Sequence, residues 1–256
     1  LGLLQGLTEF LPISSSGHLA IGKSLLGLDA TIVNSPTFEV VVHAATVFSI
    51  IVVFRKDIWQ LLQGLFKFSW NPETQYITKI VISMIPIAVV GFAFKDQVEA
   101  LFGSGLLLVG CMLLVTALLL ILTHFYRPKK ERSVSYMDAM IMGIAQACAI
   151  LPGLSRSGTT IATSLLLGDR KAEAAKFSFL MVLVPILGEA FLELIKGDLS
   201  ADASGIGTLP LVIGFFTAFV VGIAACKFMV ELVKRSSLIW FAIYCAIVGV
   251  ISFLIM

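Results

Sequence analysis

The chain has 256 residues, of which 58% are hydrophobic and 13% charged, with a mean hydropathy of +1.01. A soluble domain of this length would carry about a quarter charged residues, so composition excludes that class and reads as an all-α, polytopic membrane protein, folded as a single integral membrane domain over 1–256. The net charge of +2 decides little by itself, because the basic residues are unevenly placed, and no nucleic-acid partner is expected.

In chain order, residues 1–11 and 17–27 are two short apolar pieces split by "LPISSSG". A helix of about 11 residues rises only about 16 Å, half of the hydrocarbon core. The segment is therefore expected to form a re-entrant helix–loop–helix hairpin with its tip near the membrane midplane. Irregular backbone at that depth is tolerable only if buried in protein or lining a wet cavity. Apolar runs near 36–54, 76–94 and 104–126 follow, each long enough to cross roughly 30 Å of hydrocarbon. A second split segment, 138–150 and 158–168 around "LPGLSRSG", predicts a second re-entrant hairpin, and runs near 175–195, 208–230 and 238–256 complete six full transmembrane helices.

The chain begins at Leu1, not Met, and opens mid-pattern, which reads as a short missing N-terminal piece. Its first apolar stretch is broken by Glu9 and Pro12 and lacks a basic flank, unlike a cleavable signal peptide. Cys111, Cys148, Cys226 and Cys245 lie singly inside apolar runs and read as small packing residues.

Sliding the chain by 141 residues aligns Gly2 with Gly143, Gln5 with Gln146, Ser14 with Ser155, Ser16 with Ser157, Gly17 with Gly158 and Leu25-Leu26-Gly27 with Leu166-Leu167-Gly168. The same offset carries Phe38 onto Phe179 and "RKD" at 55–57 onto "KGD" at 196–198. This is an internal duplication, with repeats of approximately 1–126 and 138–256. Each repeat holds one hairpin and three spans; three is odd, so the repeats have inverted topology in the membrane. If both hairpins return to the side from which they start, one face receives only Lys23, Lys95 and Lys196. The other receives every remaining basic residue except Arg156. The positive-inside rule makes that richer face cytoplasmic and turns both termini outward.

Several embedded polar residues carry chemistry. Gln5 and Glu9 share one face of a short helix leading into the first break, and an ionisable group inside a membrane is a functional hypothesis by default. Ser14, Ser15 and Ser16 can cap the following helix; His18 is of the residue type whose ordinary pKa lies near neutral and follows a flexible glycine, which suits proton transfer. The second break sets Ser155, Ser157, Thr159 and Thr160 around Arg156, while Gly153 and Gly158 let backbone approach a ligand. A helix start near Gly158 offers free N–H groups to an anion, and the guanidinium is a fork suited to phosphate oxygens. The ordinary alternative is a structural Arg156 paired to Glu9. A carboxylate beside a phosphate implies a hard divalent cation, Mg or Ca, on oxygen ligands. Glu39 and His43 share a helix face and could line the cavity. Glu189 and Glu193 could pair with basic residues or face an aqueous cleft, whereas His124 and Tyr126 read as interfacial anchors.

"QGLTEFLPISSSGH" (5–18) and "LPGLSRSGTT" (151–160) closely resemble the bacterial undecaprenyl-diphosphate phosphatases of the bacitracin-resistance type, over essentially the whole chain. The resemblance implies hydrolysis of undecaprenyl diphosphate to the monophosphate carrier and inorganic phosphate, which recycles the lipid for cell-wall synthesis and confers bacitracin resistance. It implies a cytoplasmic-membrane location, dependence on Mg or Ca, a polyprenyl diphosphate lipid substrate within membrane lipid, and a site opening outward; a homodimer is admissible. Residue by residue, Gln5 and Glu9 match the family's (E/Q)-x-x-x-E pair, His18 its histidine, and Pro152, Gly153, Ser155, Arg156, Ser157 and Thr160 its P-G-x-S-R-S-x-x-T stretch. Gln5 stands where the family often has Glu, which weakens a two-carboxylate metal site.

The mechanism so implied has Arg156, Ser155, Ser157, Thr160, loop N–H groups and the serines at 14 and 16 (Ser14, Ser16) holding the diphosphate beside Gly153. Glu9 with Gln5 positions the metal or orients His18, and His18 is the general acid/base. The attacking group is left open between Ser15 and an activated water. A secondary transporter or lipid-phosphate flippase is the competing class, since opposed half-helices at the midplane are also a transporter design.

Overall fold

The computed structural model describes residues 1–26, 36–102, 105–126, 128, 131–196 and 207–255, with backbone alone for a few of them, Glu189 and Glu193 included. The expected aqueous or paired setting of those two glutamates, the Gly27–Gly168 match, and the side chains of Lys95, Arg127, Lys129, Lys130 and Lys196 lie outside the described residues.

The described chain is helical, with one isolated bridge between Arg132 and Asp169. The first break separates α1 (Gly2–Thr8) from α2 (Ser15–Leu25). Then come α3 (Pro36–Val53), α4 (Arg55–Leu65), α5 (Pro72–Ala93), α6 (Lys95–Phe102) and α7 (Gly105–Phe125). The second break separates α8 (Tyr136–Cys148) from α9 (Arg156–Leu167). After it run α10 (Lys171–Met181), α11 (Leu183–Lys196), α12 (Thr208–Arg235) and α13 (Ile239–Leu254).

Local chemistry explains several boundaries. Asn71 caps α5 through Thr74 N–H with Pro72 at its first turn, and Ser135 with Asp138 forms a reciprocal capping box on α8. Ser14 and Ser155, partners under the 141-residue offset, each cap the helix after a break, accepting from Gly17 N–H and Gly158 N–H.

Among the described residues α5, α7 and α12 are long and apolar enough to cross a membrane, and α3 with α4 makes a fourth if that pair, bent by 77°, is one span. The protein is thus an all-helical, multi-pass membrane protein. The run at 175–195, expected as one span, is interrupted at Val182. Pro185 explains this: it has no N–H for the Met181 carbonyl and its ring crowds that oxygen. The run at 238–256 gives a helix of 16 residues.

Small residues let the arms of the breaks pack tightly. A Cβ on Gly2 of α1 would lie 2.6 Å from the Gly214 carbonyl oxygen of α12, and one on Gly143 of α8 would lie 2.5 Å from that of Ser83 in α5. The first arm of each break therefore crosses a long helix from the other half of the chain. α13 lies along α7, with Gly110 facing Gly249. Phe10, Ile50, Leu113, Phe177, Met181 and Met229 are buried between these layers, while Phe92, Leu107, Phe216 and Leu254 are exposed outside, as lipid contact requires.

At the far end of α9, Gly168 closes the helix with φ 92°, a left-handed cap that suits glycine. Arg132 N–H donates to the Gly168 carbonyl and Arg170 N–H to the Arg132 carbonyl, both at 2.9 Å. Asp169 is buried there, on the wall of a cavity of about 440 Å³ that also touches His124, Glu131 and Lys171. Burial first, then the Asp138 and Glu173 carboxylates, push its carboxyl up to about 6, against the Ser164 hydrogen bond and Arg132, which act downward.

The fold thus prefers the neutral acid. Its contribution to stability is present below the ordinary carboxyl range and lost as pH rises through about 6. The expected outcome is a melting temperature in detergent that falls between about pH 5 and about pH 7.5, and falls less in Asp169→Asn.

Candidate functional site

The two breaks meet. Ser157 Oγ donates to the Leu11 carbonyl at 3.1 Å and Gly153 N–H donates to Ser16 Oγ at 3.4 Å. A Cβ on Gly17 would lie 3.2 Å from Gly153 Cα. Gly153 itself has φ +93°, and a Cβ there would sit 2.5 Å from the Val109 carbonyl oxygen. The turn therefore requires glycine twice over, for its backbone conformation and for the approach of α7.

Across this junction Arg156 Nη2 lies 2.5 Å from Glu9 Oε1. Glu9 is the hub: Ser15 Oγ donates to Oε2 at 2.6 Å, Gln5 Nε2 donates to it at 3.0 Å, and His43 Nε2 approaches it at 3.7 Å. The side chain of Glu9 is 7% exposed and that of Arg156 24%. A small cavity beside the pair, of about 10 Å³, has a polar side of Glu9, Arg156, Ser157, Thr160 and Ser178, and an apolar side of Phe10, Ile50, Phe179 and Val182. Thr160 Oγ1 donates to the Arg156 carbonyl at 2.8 Å and also meets Ser178 Oγ.

The sequence-derived candidates divide into three groups. Gln5, Glu9, Ser15 and Arg156 form one bonded cluster, with Ser157 and Thr160 beside it. Ser14, Ser16 and Ser155 serve the turns: Ser14 and Ser155 cap, Ser14 Oγ and Ser16 Oγ lie 3.3 Å apart, and Ser155 N–H donates to Thr116 Oγ1 at 3.0 Å. His18 does not line the cleft; its Nδ1 lies 2.8 Å from the Ser14 carbonyl and its Nε2 2.8 Å from Tyr244 Oη. Of the weaker candidates, His43 reaches Glu9 while Glu39 pairs with Lys23 at 2.6 Å. His124 Nδ1 lies 2.9 Å from Ser237 Oγ, away from the cleft lining.

Sequence reasoning missed Thr116, Ser178 and Tyr244. A signal existed for Ser178, since the 141-residue offset pairs it with Thr37. Tyr244 is a polar-tipped ring inside an apolar run, which marks it as unusual without saying what it touches.

Gly153→Ala is expected to lower stability in detergent by at least about 2 kcal/mol, from the left-handed backbone and the contact with Val109 together. A thermal melt in detergent checks this, and a melt equal to wild type would contradict the geometry.

The chain is similar to known proteins over essentially its whole length. Residues 1–251 match the family model described as bacitracin resistance protein BacA. A Bacteroides fragilis protein named undecaprenyl-diphosphatase is 58% identical over 258 residues, covering 100% of this chain and 96% of its own length. A protein of the same name from Bacteroides thetaiotaomicron is 58% identical over 250 residues, covering 97% of this chain and 94% of its own length. One from Carboxydothermus hydrogenoformans is 38% identical over 253 residues, with coverage of 98% and 93%. The chain belongs to the bacitracin resistance protein BacA family.

Proposed function

We propose that this chain is a membrane phosphatase that hydrolyses undecaprenyl diphosphate to undecaprenyl phosphate and inorganic phosphate. The observation that carries the reading is the meeting of Arg156 and Glu9 across two chain breaks, beside a cleft with one hydroxyl-lined and one apolar side. A lipid diphosphate has the same two-sided character: its charged head suits the guanidinium and hydroxyls, and its prenyl tail suits the apolar side, which must open to admit it, because Phe10, Ile50 and Phe179 are buried in this structure. The lipid reaches the cleft sideways between helices, without leaving the membrane.

The membrane arrangement that supports this is six spans and two re-entrant hairpins in inverted repeats. The paired crossings of α1 on α12 and α8 on α5 are what a repeat of inverted topology produces. The protein then sits in the bacterial cytoplasmic membrane with both termini and the cleft facing outward. Cysteine placed at the exposed Ser133 should be labelled by an impermeant reagent only after the cell is opened; labelling in intact spheroplasts would overturn this topology.

In the proposed reaction Arg156 binds the phosphates in place of Glu9, and its fork stabilises the charge that develops on the transferring phosphoryl group. Ser15 is the favoured nucleophile, because its hydroxyl already donates to Glu9, which can hold its proton. The Ser15 oxygen forms a bond to the terminal phosphorus as the anhydride bond breaks and undecaprenyl phosphate leaves. Water then attacks the phosphoseryl phosphorus and gives up a proton that reaches His18 through solvent, since His18 does not line the cleft. Inorganic phosphate forms as the Ser15 oxygen leaves and takes back the proton held by Glu9. A divalent ion, Mg or Ca, fits beside Gln5 and Glu9: Gln5 Oε1 is buried with no hydrogen-bond partner, an oxygen available to a hard cation. No group of three or more His, Cys, Asp or Glu side chains suited to a metal occurs among the described residues, so substrate phosphates would supply much of the coordination, as Mg ions commonly accept. Such an ion would neutralise charge on the diphosphate.

Purified protein should release phosphate from undecaprenyl diphosphate and stop in EDTA. Arg156→Ala should lower kcat at least about 100-fold. Ser15→Ala should abolish trapping of labelled phosphate on the protein; near-normal turnover in that variant would assign the attack to water. Binding of the lipid without phosphate release would sink the enzyme and favour a transporter.

A further inference from the structure

The proton-transfer role given to His18 above leaves open what holds its ring. His18 is 7% exposed, and both ring nitrogens are engaged. Nδ1 lies 2.8 Å from the Ser14 carbonyl oxygen, which can only accept, so Nδ1 carries the hydrogen. In the neutral ring the lone pair is then on Nε2. Its partner there is the phenol of Tyr244, 226 residues later in the chain and 2.8 Å away, which must donate. The two rings also stack, with centroids 5.5 Å apart and planes within 10°.

A second contact joins the same helix to the same break. Cys245 Sγ, the next residue on α13, lies 3.5 Å from the Pro12 carbonyl. Consecutive residues of α13 therefore touch the turn and the histidine that follows it. Tyr244 is 42% exposed, so the phenol is the accessible member of the pair and covers the buried imidazole.

We propose that Tyr244 is a positioning residue for His18, an inference that rests on His18 being the acid/base group. The stack sets the plane of the imidazole, and the phenol O–H, with the Ser14 carbonyl opposite, keeps the hydrogen on Nδ1 and the lone pair on Nε2. The phenol donates to the nitrogen that would accept the transferred proton, so it must give way before that transfer. When a water displaces it, that water meets a ring already in the accepting tautomer and already aimed. Without the phenol only the backbone of Ser14 and Ile13 resists tautomer exchange and ring rotation, and part of the population presents the wrong atom. Hydrogen bonds that fix the tautomer and plane of a reacting histidine contribute such orientation in general.

The test uses full-length protein in detergent with undecaprenyl diphosphate. Tyr244→Phe retains the ring and its stack while removing the hydroxyl. It should lower kcat about tenfold with KM unchanged, the loss of roughly one hydrogen bond to the reacting group. In a His18→Gln background the same change should have no further effect, because residues that act as a unit are not additive. Nitrogen-15 spectra of labelled histidine report the tautomer directly, with His18→Gln assigning the signal among the three histidines. Wild type should show hydrogen on Nδ1, and Tyr244→Phe a mixture.

A wild-type ring with its hydrogen on Nε2 would overturn the inference whether or not any variant folds. So would kcat in Tyr244→Phe within about twofold of wild type, or an equal loss in the His18→Gln background. Full turnover in His18→Gln would instead remove the acid/base assignment itself, and the positioning role with it. Loss in His18→Gln without loss in Tyr244→Phe removes the positioning role alone.

Discussion

Glu9 and Arg156 are 147 residues apart in sequence, and their oxygen and nitrogen are 2.5 Å apart in space. Each stands at its own break in a chain that is otherwise apolar, and neither charge could be kept in a low-dielectric interior alone. The pair therefore makes the two breaks depend on each other: whichever segment inserts first carries an unpaired charge until the second arrives. The neutral bonds around it, Ser157 to the Leu11 carbonyl and Gly153 N–H to Ser16, satisfy backbone that has left the helix. Removing one member of such a pair leaves the other buried, at a typical cost of roughly 3–5 kcal/mol. This single contact explains why a protein made mostly of lipid-facing helices keeps two irregular turns in register.

The same pair bears on the proposed chemistry. A guanidinium that already binds a carboxylate can bind a phosphate with the same fork of donors, so substrate binding is an exchange of one anion for another instead of the burial of a new charge. Glu9, once released, is not stranded. Ser15 and Gln5 still donate to it, and His43 stands 3.7 Å away. Those contacts also place the Ser15 hydroxyl against a proton acceptor at the time Arg156 turns to the phosphate. In the proposed reaction the arginine exchanges one anion for another while Glu9 keeps its contacts with Ser15 and Gln5.

What the sequence made legible follows from how local each signal is. The two breaks show because proline, glycine and serine clusters interrupt apolar runs, and a serine cap after the first is readable from residue type; sequence reasoning missed the cap at Ser155, which starts α9 at Arg156 and not near Gly158. Glu9 and Arg156 show because an ionisable residue in such a chain has few explanations. The spans at 76–94, 104–126 and 208–230 rest on length and hydropathy and appear as α5, α7 and α12. The division of 175–195 at Val182 was hidden by the apolarity of the run, although Pro185 was there to be weighed. The bend at Phe54 had no signature beyond the charges of Arg55, Lys56 and Asp57, which suit a helix leaving the apolar layer. Thr116, Ser178 and Tyr244 act through contacts made across the fold, and neither spacing nor composition encodes the distance between α13 and the first break.

Ser14 shows how tightly these levels are joined. Its φ is +70°, a left-handed conformation that disfavours any residue with a Cβ and that persists only where its surroundings over-determine it. Glycine would relieve the backbone at once, but it has no oxygen to accept from Gly17 N–H or to meet Ser16 Oγ. Its carbonyl accepts twice, from His18 N–H at 3.2 Å as the first ladder bond of α2 and from His18 Nδ1 at 2.8 Å. One strained residue therefore starts α2, links two of the serines, and fixes which nitrogen of His18 carries a hydrogen. The conformation that ends the apolar run is the one that orients the histidine, so the break is part of the site's construction and not merely the place where a site was accommodated.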